Sequence, residues 1–100
     1  NFRQEQKITF NFNASLAGKY KMTIYYSANV NSGGGAVTFD LNGNKFDHEF
    51  AQTGGWAYYV YEVLGEVELK AGRNTLILTD KEIPNTYLIN VKNISFEKID

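Results

Sequence analysis

Asn42-Gly43 stands between two stretches whose side chains alternate in polarity, and that arrangement constrains this chain more than any other feature it has. Val37, Phe39 and Leu41 lead into the dipeptide, and Lys45 to Phe50 leave it. Asn followed by Gly accepts the two left-handed conformations of a type I′ turn, whose twist matches that of paired antiparallel strands. A hairpin is therefore expected, and a lone hairpin is at best marginally stable in water. The rest of the chain has to supply more strands.

It does. Ile8, Phe10 and Phe12 alternate with Thr9, Asn11 and Asn13, the period of a strand with one face on a core. After a turn at Ala17-Gly18-Lys19, Tyr20, Met22, Ile24 and Tyr26 share one face of a second strand. Beyond the hairpin, Trp56 to Leu64 predicts a fifth strand, Val67 and Leu69 a short sixth, and Thr75 to Thr79 a seventh. Tyr87 to Ile99 predicts the last. There Ile89 and Val91 fall on one parity and Ile94 and Phe96 on the other, which a bulge near Lys92-Asn93 reconciles. Asn31 to Gly35, with three consecutive glycines, and Lys81 to Thr86, with the single proline Pro84, read as loops. Fifteen aromatics and twenty Val, Ile and Thr against seven Ala and seven Leu favour pleated strands over helices. Short strands at roughly 8–12-residue spacing with no helical period predict an all-β fold, an antiparallel β-sandwich of two sheets. One hundred residues suit a single domain, residues 1–100.

Charge and composition narrow the function. Ten Lys and Arg against eleven Asp and Glu give a net charge of −1, which argues against nucleic acid or an anionic membrane as a partner. No apolar run approaches the roughly 20 residues that span a bilayer, and no basic-then-apolar leader opens the sequence. The start at Asn1 reads as that of a processed or excised piece of a longer protein. With no cysteine, a disulfide scaffold, a thiolate metal site and a cysteine nucleophile are ruled out.

The residues that could do chemistry are sparse. His48 is the single histidine and shares its parity with Phe46 and Phe50, while Asp47 and Glu49 point the other way; its strand offers no partners for a triad or a zinc site. Glu66 and Glu68 share a strand face, as glutamates on solvated strands commonly do. Gly33-Gly34-Gly35 precedes a strand rather than a helix, so a phosphate loop is not formed. Neither catalytic nor metal-ligating residues are assigned. What remains in excess is aromatic rings and amides, with fifteen of the former and eleven Asn. Rings stack on the C–H faces of sugars, and an amide donates and accepts at once against neighbouring hydroxyls. An aromatic-rich core would produce the same composition, so both explanations stand at this level. One further feature is Trp56-Ala57-Tyr58-Tyr59-Val60-Tyr61, apolar on both strand faces, which calls for a cover on its outer side.

Four segments carry a resemblance to a known family. Ala17-Gly18-Lys19-Tyr20 through Tyr25-Tyr26 resembles the AGxYxxxxxY strand of galactose-binding-like carbohydrate-binding modules, notably families 6 and 35. Thr53-Gly54-Gly55-Trp56 is similar to their TGGW loop, and Leu64 to Leu76 resembles their LGxVxLKAGxNTL block. Ile89 to Phe96 resembles their closing strand. The nearest pattern is that of the sandwich appended after the catalytic domain of bacterial alpha-L-fucosidases. This resemblance implies a jelly-roll module that binds glycan without cutting it. By motif position it implies a carbohydrate site of two rings, Tyr26 and Trp56, with Asn90 anchoring hydroxyls. It also implies a neighbouring glycoside hydrolase domain as partner and an extracellular or periplasmic location. The family's acidic opening strand, which contributes to a structural calcium site, has no counterpart here, so no cofactor is expected. Where family 6 often carries Asp two positions after the anchoring Asn, this chain has Lys92, as the fucosidase-appended form does. The competing expectation is a structural sandwich that packs on a catalytic domain through the outer face of Trp56 to Tyr61.

Overall fold

In the computed structural model, which describes residues 2–3, 7–28, 35–82 and 87–99, the alternation becomes eight strands. They are β1 (Phe2–Arg3), β2 (Lys7–Ala14), β3 (Gly18–Ala28), β4 (Gly35–Leu41), β5 (Asn44–Phe50), β6 (Gly55–Leu69), β7 (Gly72–Glu82) and β8 (Tyr87–Ile99). One sheet has the order β1-β8-β3-β6 and the other β2-β7-β4-β5, every pairing being antiparallel. No helix occurs among the described residues. The expected glycine loop lies outside them except for Gly35, which opens β4, and Ile83 to Thr86 with Pro84 lies outside them as well.

The hairpin forms as the dipeptide requires. Asn42 has φ 54° and Gly43 φ 93°, and Leu41 pairs with Asn44 across the turn. Two differences from the sequence reading are informative. β1 was not anticipated, because two residues carry no period; it pairs Phe2 with Ile89 and Arg3 with Tyr87. The expected fifth and sixth strands are one strand, β6, that passes through Gly65. Gly65 sits at φ 129°, a conformation an L-residue rarely adopts. The ladder slips there: Met22 pairs with Gly65 but Thr23 with Val63, which leaves Leu64 as an extra residue. A glycine bulge thus carries the chain through a point that reads locally as a break. The bulge expected near Lys92-Asn93 is also present, since Tyr25 pairs with Asn93 and Tyr26 with Val91.

The core lies between the sheets. Tyr20, Met22, Ile24 and Tyr26 of β3 face Val37, Phe39 and Leu41 of β4, with Leu76 and Leu78 of β7 and Ile89 of β8 completing it. Full burial of side chains such as Met22, Ile24 and Phe39 contributes roughly 1.5–3 kcal/mol each. Asn74 is buried without a charge to pair and is satisfied by the chain itself. Its amide donates to the carbonyls of Lys70 (2.9 Å) and Gly72 (3.1 Å), and its oxygen accepts from Lys70 N (3.1 Å) and Asn42 Nδ2 (2.8 Å). Asn42 in turn accepts from Thr75 N at 2.9 Å. Two asparagines thereby clamp the β6–β7 turn to the hairpin turn at one end of the sandwich. The opposite end is where β3, β5 and β7 finish and β4, β6 and β8 begin.

Candidate functional site

That opposite end holds all three residues that the resemblance singles out. Tyr26 ends the inward row of β3 and is buried, 1% exposed. Its ring meets Phe50 edge-on at 4.8 Å, and its hydroxyl donates to the carbonyl of Ala51 at 2.9 Å. Burial, reinforced by the nearby Glu62 carboxylate, pushes its phenol up from 10.0 to about 12. A ring so enclosed offers no open face to a ligand in this conformation; what it does is hold the segment that follows β5.

That segment is knotted by Thr53. Its backbone N–H donates to Ala28 O at 2.9 Å, Ala28 N donates to its Oγ1 at 3.0 Å, and Oγ1 lies 2.6 Å from Tyr58 O, to which it donates. One threonine therefore joins the end of β3 to the start of β6. The glycines beside it have a specific use. A Cβ built on Gly55 would lie 3.0 Å from Cδ2 of Tyr58, so the space that Gly54-Gly55 clears is taken by the Tyr58 ring. In the sequence Gly54-Gly55 directly precede Trp56, and adjacency along the chain does not reveal that the ring folding back over them is that of Tyr58.

Trp56 is half-buried at the start of β6. Its carbonyl accepts from Ser27 Oγ at 2.9 Å, and Ser27 pairs in register with Asn90. Trp56, Ser27 and Asn90 thus form a row across β6, β3 and β8. The half-buried Asn90 donates from Nδ2 to the hydroxyl of Tyr59 at 2.6 Å. Tyr59 was not singled out as a ligand-contacting residue from the sequence. Its place beside Asn90 comes from strand pairing, and the available signal was the two-sided apolar run from Trp56 to Tyr61.

Elsewhere the chemistry is thin. His48 Nε2 contacts Glu62 Oε2 across the open β5/β6 edge, and the His48 ring packs against Phe50. Among the described residues, no group of three His, Cys, Asp or Glu side chains could hold a metal. Glu66 and Glu68 are exposed on β6 and border an open cavity of about 350 Å³ with Leu41, Asn44, Phe46 and Val67. On the other flank a cavity of about 300 Å³ opens between β2 and β8, floored by Phe10, Phe12 and Phe96.

A two-sheet antiparallel sandwich with aromatics and amides gathered at one end is an architecture that accessory binding modules use, and fold alone does not fix a function. The sequence comparison agrees: Carbohydrate binding module (family 6) matches residues 1–98. The chain belongs to that family. No curated protein sequence matches it. Among solved structures, it is similar to a family 35 carbohydrate binding module from Clostridium thermocellum, with 26% identity, TM-score 0.77, and coverage of 92% of this chain and 70% of that one. It is also similar to the cycloalternan-forming enzyme from Listeria monocytogenes in complex with pentasaccharide substrate. There identity is 28% and the TM-score 0.80, over 97% of this chain but 9% of the enzyme. A Podospora anserina GH26-CBM35 beta-(1,4)-mannanase shares the fold, with TM-score 0.72 at 22% identity over 91% of this chain and 19% of that one. The chain is thus a carbohydrate-binding module, a noncatalytic kind of domain; it spans 9% of the cycloalternan-forming enzyme and 19% of the mannanase, each a much longer chain.

Proposed function

We propose that this domain holds a neighbouring catalytic domain against glycan, with the sugar bound at the rim where Ser27 links the Trp56 backbone to the strand of Asn90. Trp56 supplies a stacking surface, Asn90 supplies an amide for adjacent hydroxyls, and Tyr26 positions the loop by holding Ala51 from below. The observation that carries the reading is the row Trp56–Ser27–Asn90, which joins the indole strand to the anchoring amide through one side-chain hydrogen bond and one strand register. Such a site would bind weakly, with a Kd on the order of millimolar to micromolar. The parent chain would be a glycoside hydrolase of the fucosidase type acting outside the cytoplasm, a reading supported by the motif resemblance of Leu64 to Leu76 and by Lys92. Isothermal titration against a polysaccharide panel tests the assignment. Trp56→Ala and Asn90→Ala should each weaken binding about tenfold or more, and variants that bind like the wild type would remove those residues from the site.

One observation favours a second reading, in which the module packs on its neighbour without sugar. Tyr58, Val60, Tyr61 and Val63 of β6 are exposed, Tyr61 at 71% and Val63 at 55%. Exposed apolar patches of this kind mark interaction surfaces.

A further inference from the structure

We infer that a second carbohydrate contact lies on the outer face of the β8-β3-β6 sheet, where a column of tyrosines ends in an open ring and Lys92 selects glycans that carry carboxylates. The inference rests on the reading of the domain as a glycan-binding module. Tyr25 and Tyr61 oppose one another on β3 and β6 with ring centroids 4.2 Å apart and planes 23° from parallel. Tyr25 therefore covers one face of Tyr61. The other face looks off the edge of the sheet, because β6 is the outermost strand and Tyr61 is 71% exposed. A pyranose set there would continue the column, its C–H face against the ring as a further layer.

The far end of the column is polar. Tyr59 lies 5.3 Å from Tyr25 and reaches toward β8, where Asn90 donates to its hydroxyl and Lys92 Nζ stands 5.1 Å from its ring centroid. Lys92 makes no ion pair among the described residues, so its ammonium is held over the ring by the cation–π attraction and can take a carboxylate. The bulge that leaves Lys92 and Asn93 both exposed adds an amide beside it. Protein interface cores are depleted in lysine, whereas an ammonium and amides bordering stacked rings suit an acidic sugar chain. Through Asn90 the strip is continuous with the rim, so one glycan could run from one to the other.

Titration of the whole protein with neutral xylo-oligosaccharides and with the same oligosaccharides bearing glucuronic acid tests this. Tyr61→Ala should lower affinity for both series about fivefold. Lys92→Gln should lower it for the acidic series only, by a factor that shrinks as salt rises. Wild-type affinity in both variants would overturn the inference, and if Trp56→Ala still abolished binding the rim assignment would survive alone. Protection of Tyr61 from hydroxyl-radical footprinting by a neighbouring domain in the parent chain would also overturn it, in favour of packing. A wild type that binds no glycan would remove the proposed function and this contact together.

Discussion

Replacing Asn74 by Ala removes the clamp between the two turns, and the structure allows its cost to be worked out. Four hydrogen bonds are lost: two donated to Lys70 and Gly72 and two accepted from Lys70 and Asn42. A neutral intramolecular hydrogen bond contributes about 0.5–1.5 kcal/mol net, and a buried polar group left unmet costs about 1–3 kcal/mol. Lys70, Gly72 and Asn42 are exposed, so water can reach part of what is left unpaired, and the sum is held to about 2–3 kcal/mol. For a domain of this size each kcal/mol lowers Tm by roughly 4–8 °C. Calorimetry or urea unfolding should therefore show a Tm roughly 10–20 °C lower, or a lower urea midpoint with an unchanged slope. A loss below about 1 kcal/mol would refute the reasoning, because the turns would then be held by strand pairing without the side-chain clamp.

Other perturbations separate positioning from contact. Tyr26→Phe keeps the ring on Phe50 but removes the bond to Ala51; stability should fall by about 1 kcal/mol, with glycan affinity falling too if the loop it holds shapes the rim, as titration of the folded variant would measure. The Tyr26 phenol, raised to about 12, is neutral in the native state where an unfolded chain has begun to ionise. Its contribution to stability is complete below pH 10 and is lost as pH climbs from 10 toward 12, and ultraviolet-monitored titration should find a late-ionising phenol that the Tyr26→Phe variant lacks. Gly65→Ala meets no atom within 4 Å but must hold φ 129°; a cost of about 1–2 kcal/mol in chemical denaturation is expected from backbone strain alone. Met22→Ala opens a void in the core and should cost about 2–5 kcal/mol by the same measurement.

Much of the architecture could be read from neighbouring residues, because alternation, turn chemistry and bulges are local properties. The rows Ile8-Phe10-Phe12 and Tyr20 to Tyr26, the Asn42-Gly43 hairpin and the parity change at Lys92-Asn93 all belong to that kind, and four ordered motifs identified the family. The apolar character of Trp56 to Tyr61 on both strand faces is likewise legible in the sequence. The motif positions do not reveal that the Tyr26 ring is enclosed while Tyr59 stands beside Asn90, since motif spacing carries no information on depth. Nor does β6 read as one strand, since a glycine that permits a bulge and a glycine that ends a strand look alike in sequence.

By itself, then, the amino-acid order determined strand content, the hairpin, the family and the supply of rings and amides. Tertiary structure decided which of them meet. Without the slip at Leu64, Tyr25 would pair with Glu62 instead of Tyr61, and a one-residue change of register exchanges the two faces of a strand. The tyrosine column and the row from Trp56 to Asn90 both depend on ladders between segments distant along the chain, and such ladders are set by the packing of the whole sandwich rather than by any one of its strands.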